Sequence, residues 1–297
     1  MSPIYKSFIN SPELGRTVDA AGTLIHYVDD GFGPPIVLLH GLGFSLFSYR
    51  KNIPHLIRNM RVLALDLPGC GYSTLPSGFE ATPEAMARYL KAFLQGLNIE
   101  HAVICGAGEG GIYALELACR YPECVSGLVL VSPGSLTQHF PWYMKLLPND
   151  WIGDKLVQFM GMQEMHRFLQ WCYFSEISVD KYLVRQMFQP FEIKATRKSL
   201  LRLFREYDDR YVHENMGSIA CPTYIIWGKD DPGRPSGMAQ MYKDAIPGAH
   251  LSVLRNCGML PHEEKPDEFN DYVARFAAFA RPQEDFIGGD PFDEGLD

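Results

Sequence analysis

The stretch Ala102-Val-Ile-Cys-Gly-Ala-Gly-Glu-Gly-Gly111 decides the fold of this chain. Its apolar run at 103–105 is typical of a buried parallel strand, and residues 110–121 are typical of a helix. Only a sharp turn fits between the two, and a residue that carries a β-carbon is strained in such a turn. We therefore expect a strand, a tight turn at Gly108 and a helix, and relief of strain is the simplest reason for glycine there.

The same rhythm recurs along most of the chain. Apolar runs predict buried strands at 36–39, 62–65, 128–131 and 224–227, and helical patterns cover 47–58, 83–97 and 267–280. The alternating segment 23–28 is expected to form a hairpin with the strand that follows it. This order predicts an α/β fold with a doubly wound, mostly parallel sheet covered on both faces. Ligands bind such sheets at the carboxyl ends of the strands.

Four stretches resemble the α/β-hydrolase fold superfamily, in the branch of epoxide hydrolases, haloalkane dehalogenases and C–C hydrolases. They are 40–45, 61–73, 102–111, and 224–232 taken with 253–262. They are similar to the family's oxyanion loop, its fourth strand, its nucleophile elbow G-x-S-x-G, and its acid and histidine strand ends. Together they span about residues 20 to 280. The resemblance implies the α/β-hydrolase fold with an inserted helical cap.

The resemblance places the catalytic triad at Gly108, Asp231 and Met259. Glycine has no side chain, and a methionine thioether cannot transfer a proton, so only the acid is retained. The family's oxyanion-hole donors correspond to the backbone N–H groups of Leu42 and Glu109, which do not depend on the missing side chains. The sequence thus predicts a pocket that stabilises negative charge but has no serine nucleophile.

Other residues near the predicted turn are candidates for catalysis. Asp231 is a candidate acid or base, or it caps nearby backbone. Glu109 is a candidate catalytic carboxylate, and a shift of the elbow by one residue would make it the nucleophile. It is equally well explained as a favourable charge at a helix start. His40 and His262 are further candidates for the missing base, although each also fits a structural role.

The segment 134–217 lacks strands and is rich in aromatic residues and methionine, which predicts the cap. The α/β-hydrolase core would then comprise residues 1–133 and 218–282. The acidic segment 283–297 is expected to be a disordered tail. Aromatic residues either form the cap's own core or line an apolar ligand pocket. The pocket candidates are Trp142, Phe168, Trp171, Met162, His139 and His262.

Composition limits the possible partners. The formal net charge is −8, and most of it comes from the six acidic residues of the tail, so nothing suggests binding to nucleic acid or to an anionic membrane. Seven cysteines lack metal-like spacing, and no dinucleotide or P-loop fingerprint occurs. We expect no metal, no cofactor and an apolar small molecule as the ligand, and a cytoplasmic location is the default.

These features favour a cofactor-independent enzyme that is not a hydrolase, such as a lyase, isomerase or cyclase acting on an apolar carbonyl compound. One alternative is a non-catalytic binder or receptor that retains the pocket. Another is a hydrolase with a relocated catalytic group such as Glu109. A last alternative is that the residues at 108 and 259 were introduced to trap a substrate.

Overall fold

A single eight-stranded sheet forms the centre of the molecule. The computed structural model describes residues 11, 15–134, 139, 141–142, 144–175 and 178–280. The strands are β1 (Arg16–Ala20), β2 (Thr23–Asp30), β3 (Pro35–Leu39), β4 (Arg61–Leu65), β5 (Ala102–Ala107), β6 (Val125–Val131), β7 (Thr223–Gly228) and β8 (His250–Leu254). Their order in the sheet is β1-β2-β4-β3-β5-β6-β7-β8.

The sheet is antiparallel at one edge and parallel elsewhere. The pairs β1–β2 and β2–β4 are antiparallel, and the other five pairs are parallel. The fold is therefore the predicted α/β class with a mostly parallel sheet. Nearly every residue of the strands β3 to β7 is buried, as expected for strands that are covered on both faces. The predicted hairpin between 23–28 and 36–39 is wrong, because β4 lies between β2 and β3 and pairs with both.

Eleven α-helices surround the sheet in the described part of the chain. They are α1 (Ile53–Leu56), α2 (Pro83–Gly96), α3 (Glu109–Arg120), α4 (Asp150–Phe159), α5 (Met162–Cys172), α6 (Lys181–Phe188), α7 (Lys194–Arg205), α8 (Arg210–Asn215), α9 (Gly237–Ala245), α10 (Pro261–Glu264) and α11 (Pro266–Phe279). Five short 3-10 helices accompany them: Leu46–Tyr49, Pro122–Cys124, Met144–Leu146, Gln189–Glu192 and Met216–Ser218. Helix α3 packs on β5 and β6 and against α2, which places its N-terminus at the carboxyl end of the sheet.

Local chemistry sets several helix boundaries. Thr82 caps α2 by accepting the N–H of Ala85 at 3.2 Å, and Asp180 caps α6 by accepting that of Leu183 at 2.7 Å. The helix predicted at 47–58 is instead a 3-10 turn followed by the short α1. Asn52 precedes α1, and its side chain donates to the carbonyl of His262, while proline near the start of α1 favours a new helix there.

Helices α4 to α7 lie between β6 and β7, where the cap was predicted. They enclose a second group of buried apolar residues formed by Leu147, Val157 and Leu201. The boundaries 134–217 of the cap remain a prediction. The predicted tail at 283–297 lies outside the described residues.

Candidate functional site

The turn between β5 and α3 lies at the carboxyl edge of the sheet. Gly108 is its central residue, with φ 56° and ψ −126°. This is the left-handed half of backbone space, where a β-carbon is unfavourable. The N–H of Gly108 donates to the carbonyl of Val131 at 3.0 Å, and its own carbonyl accepts the N–H of Gly111 at 3.0 Å. The turn is therefore fixed by backbone bonds and does not depend on a side chain at residue 108.

Glu109, the first residue of α3, turns its carboxylate into the site. The residue is only 5% exposed. Its Oε2 accepts the backbone N–H of Leu42 at 3.0 Å, and its Oε1 accepts Nη2 of Arg234 at 3.1 Å. A buried carboxylate needs such partners, because burying an unpaired charge is costly. The N–H of Leu42, which the sequence predicts to be an oxyanion donor, is thus engaged by the carboxylate of Glu109.

Arg234 brings a positive charge to the same corner. It is 2% exposed, and its Nη2 lies 3.4 Å from the point where a β-carbon on Gly108 would stand. Its backbone carbonyl accepts the indole N–H of Trp227 at 3.0 Å. Burial would lower the pKa of Arg234, but the nearby carboxylates of Glu109 and Asp231 outweigh burial and raise it. The guanidinium therefore stays charged beside the turn.

Asp231 holds the loop that carries Arg234. Its Oδ1 accepts the backbone N–H groups of Gly233 and Arg234, both at 2.8 Å. Its Oδ2 is buried and has no hydrogen-bond partner within the described residues. Burial raises the pKa of Asp231, while Arg234 and the two N–H donors oppose this rise and Glu109 adds to it. Asp231 thus fixes the backbone of the loop that carries Arg234 and adds a negative charge near it.

Met259 follows β8 and lies in the wall of the same corner. Its backbone N–H donates to the carbonyl of Cys172 at 2.8 Å, and the residue is buried. The thioether contributes apolar surface and only a weak acceptor. No imidazole takes its place among the cavity-lining residues that the structure describes.

The two candidate histidines have structural surroundings. In buried His40, Nδ1 donates to the carbonyl of Gly41 at 2.8 Å and Nε2 accepts the N–H of Leu67 at 3.0 Å, so both nitrogens tether loops. His262 is buried against the ring of Tyr49, at 4.7 Å between centroids. Burial, followed by the charges of Arg50 and Lys51, lowers the pKa of His262 to about 3. Neither residue lines the two cavities described below, so the structure does not bring either one to Gly108.

Two adjoining cavities open from this corner. The small one, of about 20 Å³, borders Gly108, Glu109, Arg234 and Met259. The large one, of about 110 Å³, is almost wholly apolar and lies among α4, α5 and α7. Both are lined by Leu42, Met144, Phe168 and Phe204. The arrangement is a polar chamber next to an apolar one.

The six predicted pocket residues separate into different environments. Phe168 lines both cavities, and Trp171 contacts it with ring centroids 6.3 Å apart. Trp142 and Met162 are 76% and 53% exposed, and His139 is exposed as well, while its backbone N–H donates to the carbonyl of Gly233. Those three side chains are absent from the described linings of both cavities, because each of them is exposed to solvent.

Sequence reasoning missed Arg234. It lies three positions after Asp231 in the string Asp231-Pro-Gly-Arg234, and an acid that accepts backbone N–H groups two and three residues later is a recognisable turn. That pattern indicates the turn but not the direction of the arginine side chain. The contact between Glu109 and Leu42 joins residues 67 positions apart and has no local signal.

Within the described ranges, no group of three or more metal-ligating side chains occurs. None of the helices described is both long and apolar enough to cross a membrane.

Comparison with known proteins places this chain in a family. Residues 34–266 match the family described as alpha/beta hydrolase fold. The chain is 30% identical to 2-hydroxymuconate semialdehyde hydrolase of Pseudomonas sp. (strain CF600), covering 91% of this chain and 96% of that protein. It is also 30% identical to 2-hydroxy-6-oxo-6-phenylhexa-2,4-dienoate hydrolase of Comamonas testosteroni, covering 87% and 92%. The solved meta-cleavage product hydrolase from Pseudomonas fluorescens IP01 is similar in structure, with a TM-score of 0.79 and 26% identity over 91% of this chain and 100% of that one.

These findings correct the main functional prediction. The relatives are named as hydrolases, so the expected lyase, isomerase or cyclase is wrong, and the alternative of a hydrolase that employs Glu109 agrees better with them. The prediction of an enzyme agrees with a family whose relatives are enzymes. The family match covers most of the chain and includes β3 to β8 with the turn at Gly108. The chain belongs to the α/β-hydrolase fold family.

Proposed function

We propose that this chain is a hydrolase in which the carboxylate of Glu109 activates a water molecule for direct attack on a carbonyl group. The observation that carries the proposal is the Glu109–Arg234 pair, which lies against Gly108 at the carboxyl edge of the sheet. In this arrangement a base and a cation stand beside a residue without a side chain. That residue corresponds to the family's nucleophile.

The space beside Gly108 supports a role for water. The small cavity of about 20 Å³ is large enough for one water molecule, and Glu109 and Arg234 supply polar partners. As the water oxygen bonds to the carbonyl carbon, Glu109 takes one proton from it. Arg234 stabilises the negative charge that develops on the carbonyl oxygen. The bond to the leaving group then breaks, and the leaving group receives the proton.

A covalent route has less support. Residue 108 has no hydroxyl, and Met259 cannot act as a base. If Glu109 attacked the substrate itself, a second base would have to hydrolyse the resulting ester or anhydride. Besides Glu109, the only acidic side chain in the described linings of the two cavities is that of Glu164, which caps α5 by accepting the N–H of Gly161 at 3.0 Å. Single displacement by water needs only one base.

The substrate class follows from the cavity and the relatives. The apolar chamber of about 110 Å³ fits a short hydrocarbon group next to the reacting carbonyl. The relatives' names describe oxo and semialdehyde compounds as their substrates, which supports a carbonyl group here. We therefore assign a small, mostly apolar ester or ketone as the substrate.

The proposal is tested by substituting the base. Glu109→Gln keeps the shape of the side chain but removes its charge, and it should lower kcat for phenyl esters of short fatty acids or for an aryl oxo-dienoate by about 100-fold or more. Glu100→Gln is the matched control, because Glu100 is exposed and follows α2 at a distance from the site. Circular dichroism of both variants should match that of the unsubstituted protein. Equal activity of all three proteins would refute the assignment of Glu109.

A further inference from the structure

A chain of polar side chains runs from the neighbourhood of Glu109 to the surface. It consists of Tyr207, Asp209 and His213, none of which is among the described residues that line either cavity. The hydroxyl of Tyr207 donates to Oδ2 of Asp209 at 3.3 Å. The same oxygen lies 3.3 Å from Nε2 of His213, one turn further along the chain in α8. Three groups that can carry a proton are therefore arranged in a row in space.

The tyrosine end of this chain reaches the catalytic carboxylate. A β-carbon placed on Gly134 would lie 3.1 Å from the Tyr207 hydroxyl and 3.3 Å from Oε1 of Glu109. The Tyr207 hydroxyl and the Glu109 carboxylate therefore both lie close to Gly134. The position of Gly134 is fixed by the hydroxyl of Tyr242, which donates to its carbonyl at 2.6 Å. The gap between Glu109 and Tyr207 is short enough for one water molecule to bridge.

The histidine end reaches solvent. The side chain of Asp209 is 0% exposed, whereas that of His213 is 32% exposed. Tyr207, at the opposite end next to Glu109, is half-buried. Burial of an aspartate is costly, and here the tyrosine hydroxyl and the imidazole both offset that cost. The cluster connects the interior to the surface without passing through the substrate cavity.

We propose that Tyr207, Asp209 and His213 form a proton-release path from Glu109 to solvent. The proposal rests on the proposed function. Hydrolysis of an ester at neutral pH produces a carboxylate, an alcohol and one net proton. When the acid product ionises, Glu109 accepts its proton. That proton then passes through the hydroxyl of Tyr207 to Asp209, and His213 exchanges it with the buffer.

The substrate cavity is a poor exit for that proton. The small cavity is lined partly by apolar residues such as Phe44, Phe168 and Leu260, and the adjoining chamber is almost wholly apolar, so a bound product would leave little polar space for a water chain. Water chains conduct protons only where polar partners hold them in place. A separate path through a tyrosine hydroxyl, a carboxylate and an imidazole allows proton release before the product leaves.

The test removes the surface end of the path and supplies a replacement. His213→Ala is compared with His101→Ala, which removes an exposed histidine elsewhere, in 1 mM buffer with and without 50 mM imidazole. An indicator dye follows proton release in unbuffered solution, while ester cleavage is followed separately. We expect His213→Ala to release protons at least about tenfold more slowly than it cleaves ester in the first turnover, with kcat restored by imidazole and KM unchanged. His101→Ala should behave like the unsubstituted protein.

The outcomes separate this inference from the proposed function. If His213→Ala releases protons as fast as the unsubstituted protein, the path is refuted. A loss of kcat that imidazole does not restore indicates a structural role for His213 and also refutes it. Asp209→Asn should show the same delay without rescue, because the interruption then lies inside the protein. If instead Glu109→Gln hydrolyses esters at the normal rate, the proposed function fails, whatever the histidine variants do.

Discussion

At the level of single residues, Arg234 can occupy its position because Gly108 has no side chain. The guanidinium lies 3.4 Å from where a β-carbon at residue 108 would be, as does the α-carbon of Gly41. A larger side chain would enter the space that the Glu109–Arg234 pair and the attacking water share. The positive φ of residue 108 adds strain for any branched side chain.

Substitution of this glycine should therefore impair catalysis. We expect Gly108→Val to lower kcat/KM for esters on the order of 100-fold, because a shift of the ion pair by about 1 Å misplaces the base. Gly78→Val is the control, since a β-carbon there meets no atom within 4 Å. Steady-state kinetics of both variants provide the comparison. Full activity of Gly108→Val would show that the space beside residue 108 is not used.

The buried ion pair should also affect stability. Arg234→Met removes the guanidinium that neutralises Glu109 and should lower the free energy of unfolding by about 3–5 kcal/mol. Adding Glu109→Gln removes the charge that was left behind, so the double variant should be more stable than Arg234→Met alone. Arg210→Met, which breaks the exposed pair with Asp208, should change stability little. Urea unfolding measures these proteins together with Glu109→Gln alone, and additive effects of the two single substitutions would argue against coupling of Glu109 and Arg234.

Sequence could predict only part of this site. Gly108, Asp231 and Glu109 could be named as candidates, because each follows a strand in a string similar to the family's own. Arg234 could not be identified, because the direction of its side chain depends on the turn at Asp231 and on the carboxylate of Glu109. His40 and His262 were named as candidate bases for their residue type, and burial beside Leu67 and Tyr49 gives them structural surroundings.

At the level of elements, α4, α5 and α7 determine the size of the apolar chamber. Val157, on α4, is buried and lines this chamber. A larger side chain at this position shortens the space available to the hydrocarbon part of a substrate. Loss of a binding site for one methylene group is worth about 10-fold or more in specificity.

Chain-length preference should change accordingly. We expect Val157→Phe to lower kcat/KM for a hexanoate ester about 10-fold or more, while that for an acetate ester changes little. The acetate ester serves as the internal control for folding and for catalysis by Glu109. An equal loss with both esters would show that the chamber does not hold the acyl group.

The elements themselves were largely predictable. Apolar runs of three or four residues identify β3 to β7, because strands buried on both faces tolerate few polar side chains. Strand pairing was harder, and the predicted hairpin of β2 and β3 is absent because β4 enters between them. The predicted helix at 47–58 is interrupted near Asn52, whose side chain bonds to the carbonyl of His262, more than 200 residues away.

At the level of the whole molecule, His262 makes the free energy of unfolding depend on pH. Its pKa is lowered to about 3 by burial and by nearby cations, whereas an unfolded histidine titrates near about 6.5. Between these values the unfolded chain binds the extra proton, so the free energy of unfolding falls as pH falls. Protonation of His262 lowers the free energy of unfolding by at most about 5 kcal/mol, and this loss is absent above pH of about 6.5.

Removing this histidine should flatten the acid side of the stability curve. We expect His262→Leu to lose less stability than the unsubstituted protein between pH of about 6.5 and 3, because leucine does not titrate. His101→Leu, at an exposed position, should follow the unsubstituted protein. Denaturant unfolding across this range is the measurement. Parallel curves for all three proteins would show that His262 is not buried in its neutral form.

The overall reaction class is a property that residue types alone predicted wrongly. The missing serine and histidine favoured chemistry other than hydrolysis, because the sequence did not reveal a carboxylate and a guanidinium meeting at the same turn. The relatives are named as hydrolases, which supports hydrolysis, and the contact between Glu109 and Arg234 supports the proposal that a different set of groups carries it out.

Oxygen tracing tests the central claim most directly. The protein is allowed many turnovers of an ester in water enriched in oxygen-18, and the peptide that contains Glu109 is then weighed by mass spectrometry beside the acid product. If Glu109 only activates water, the product carries the label and the peptide retains its natural mass. Label in the carboxylate of Glu109, or an acyl adduct on any residue of the chain, would contradict direct attack by water.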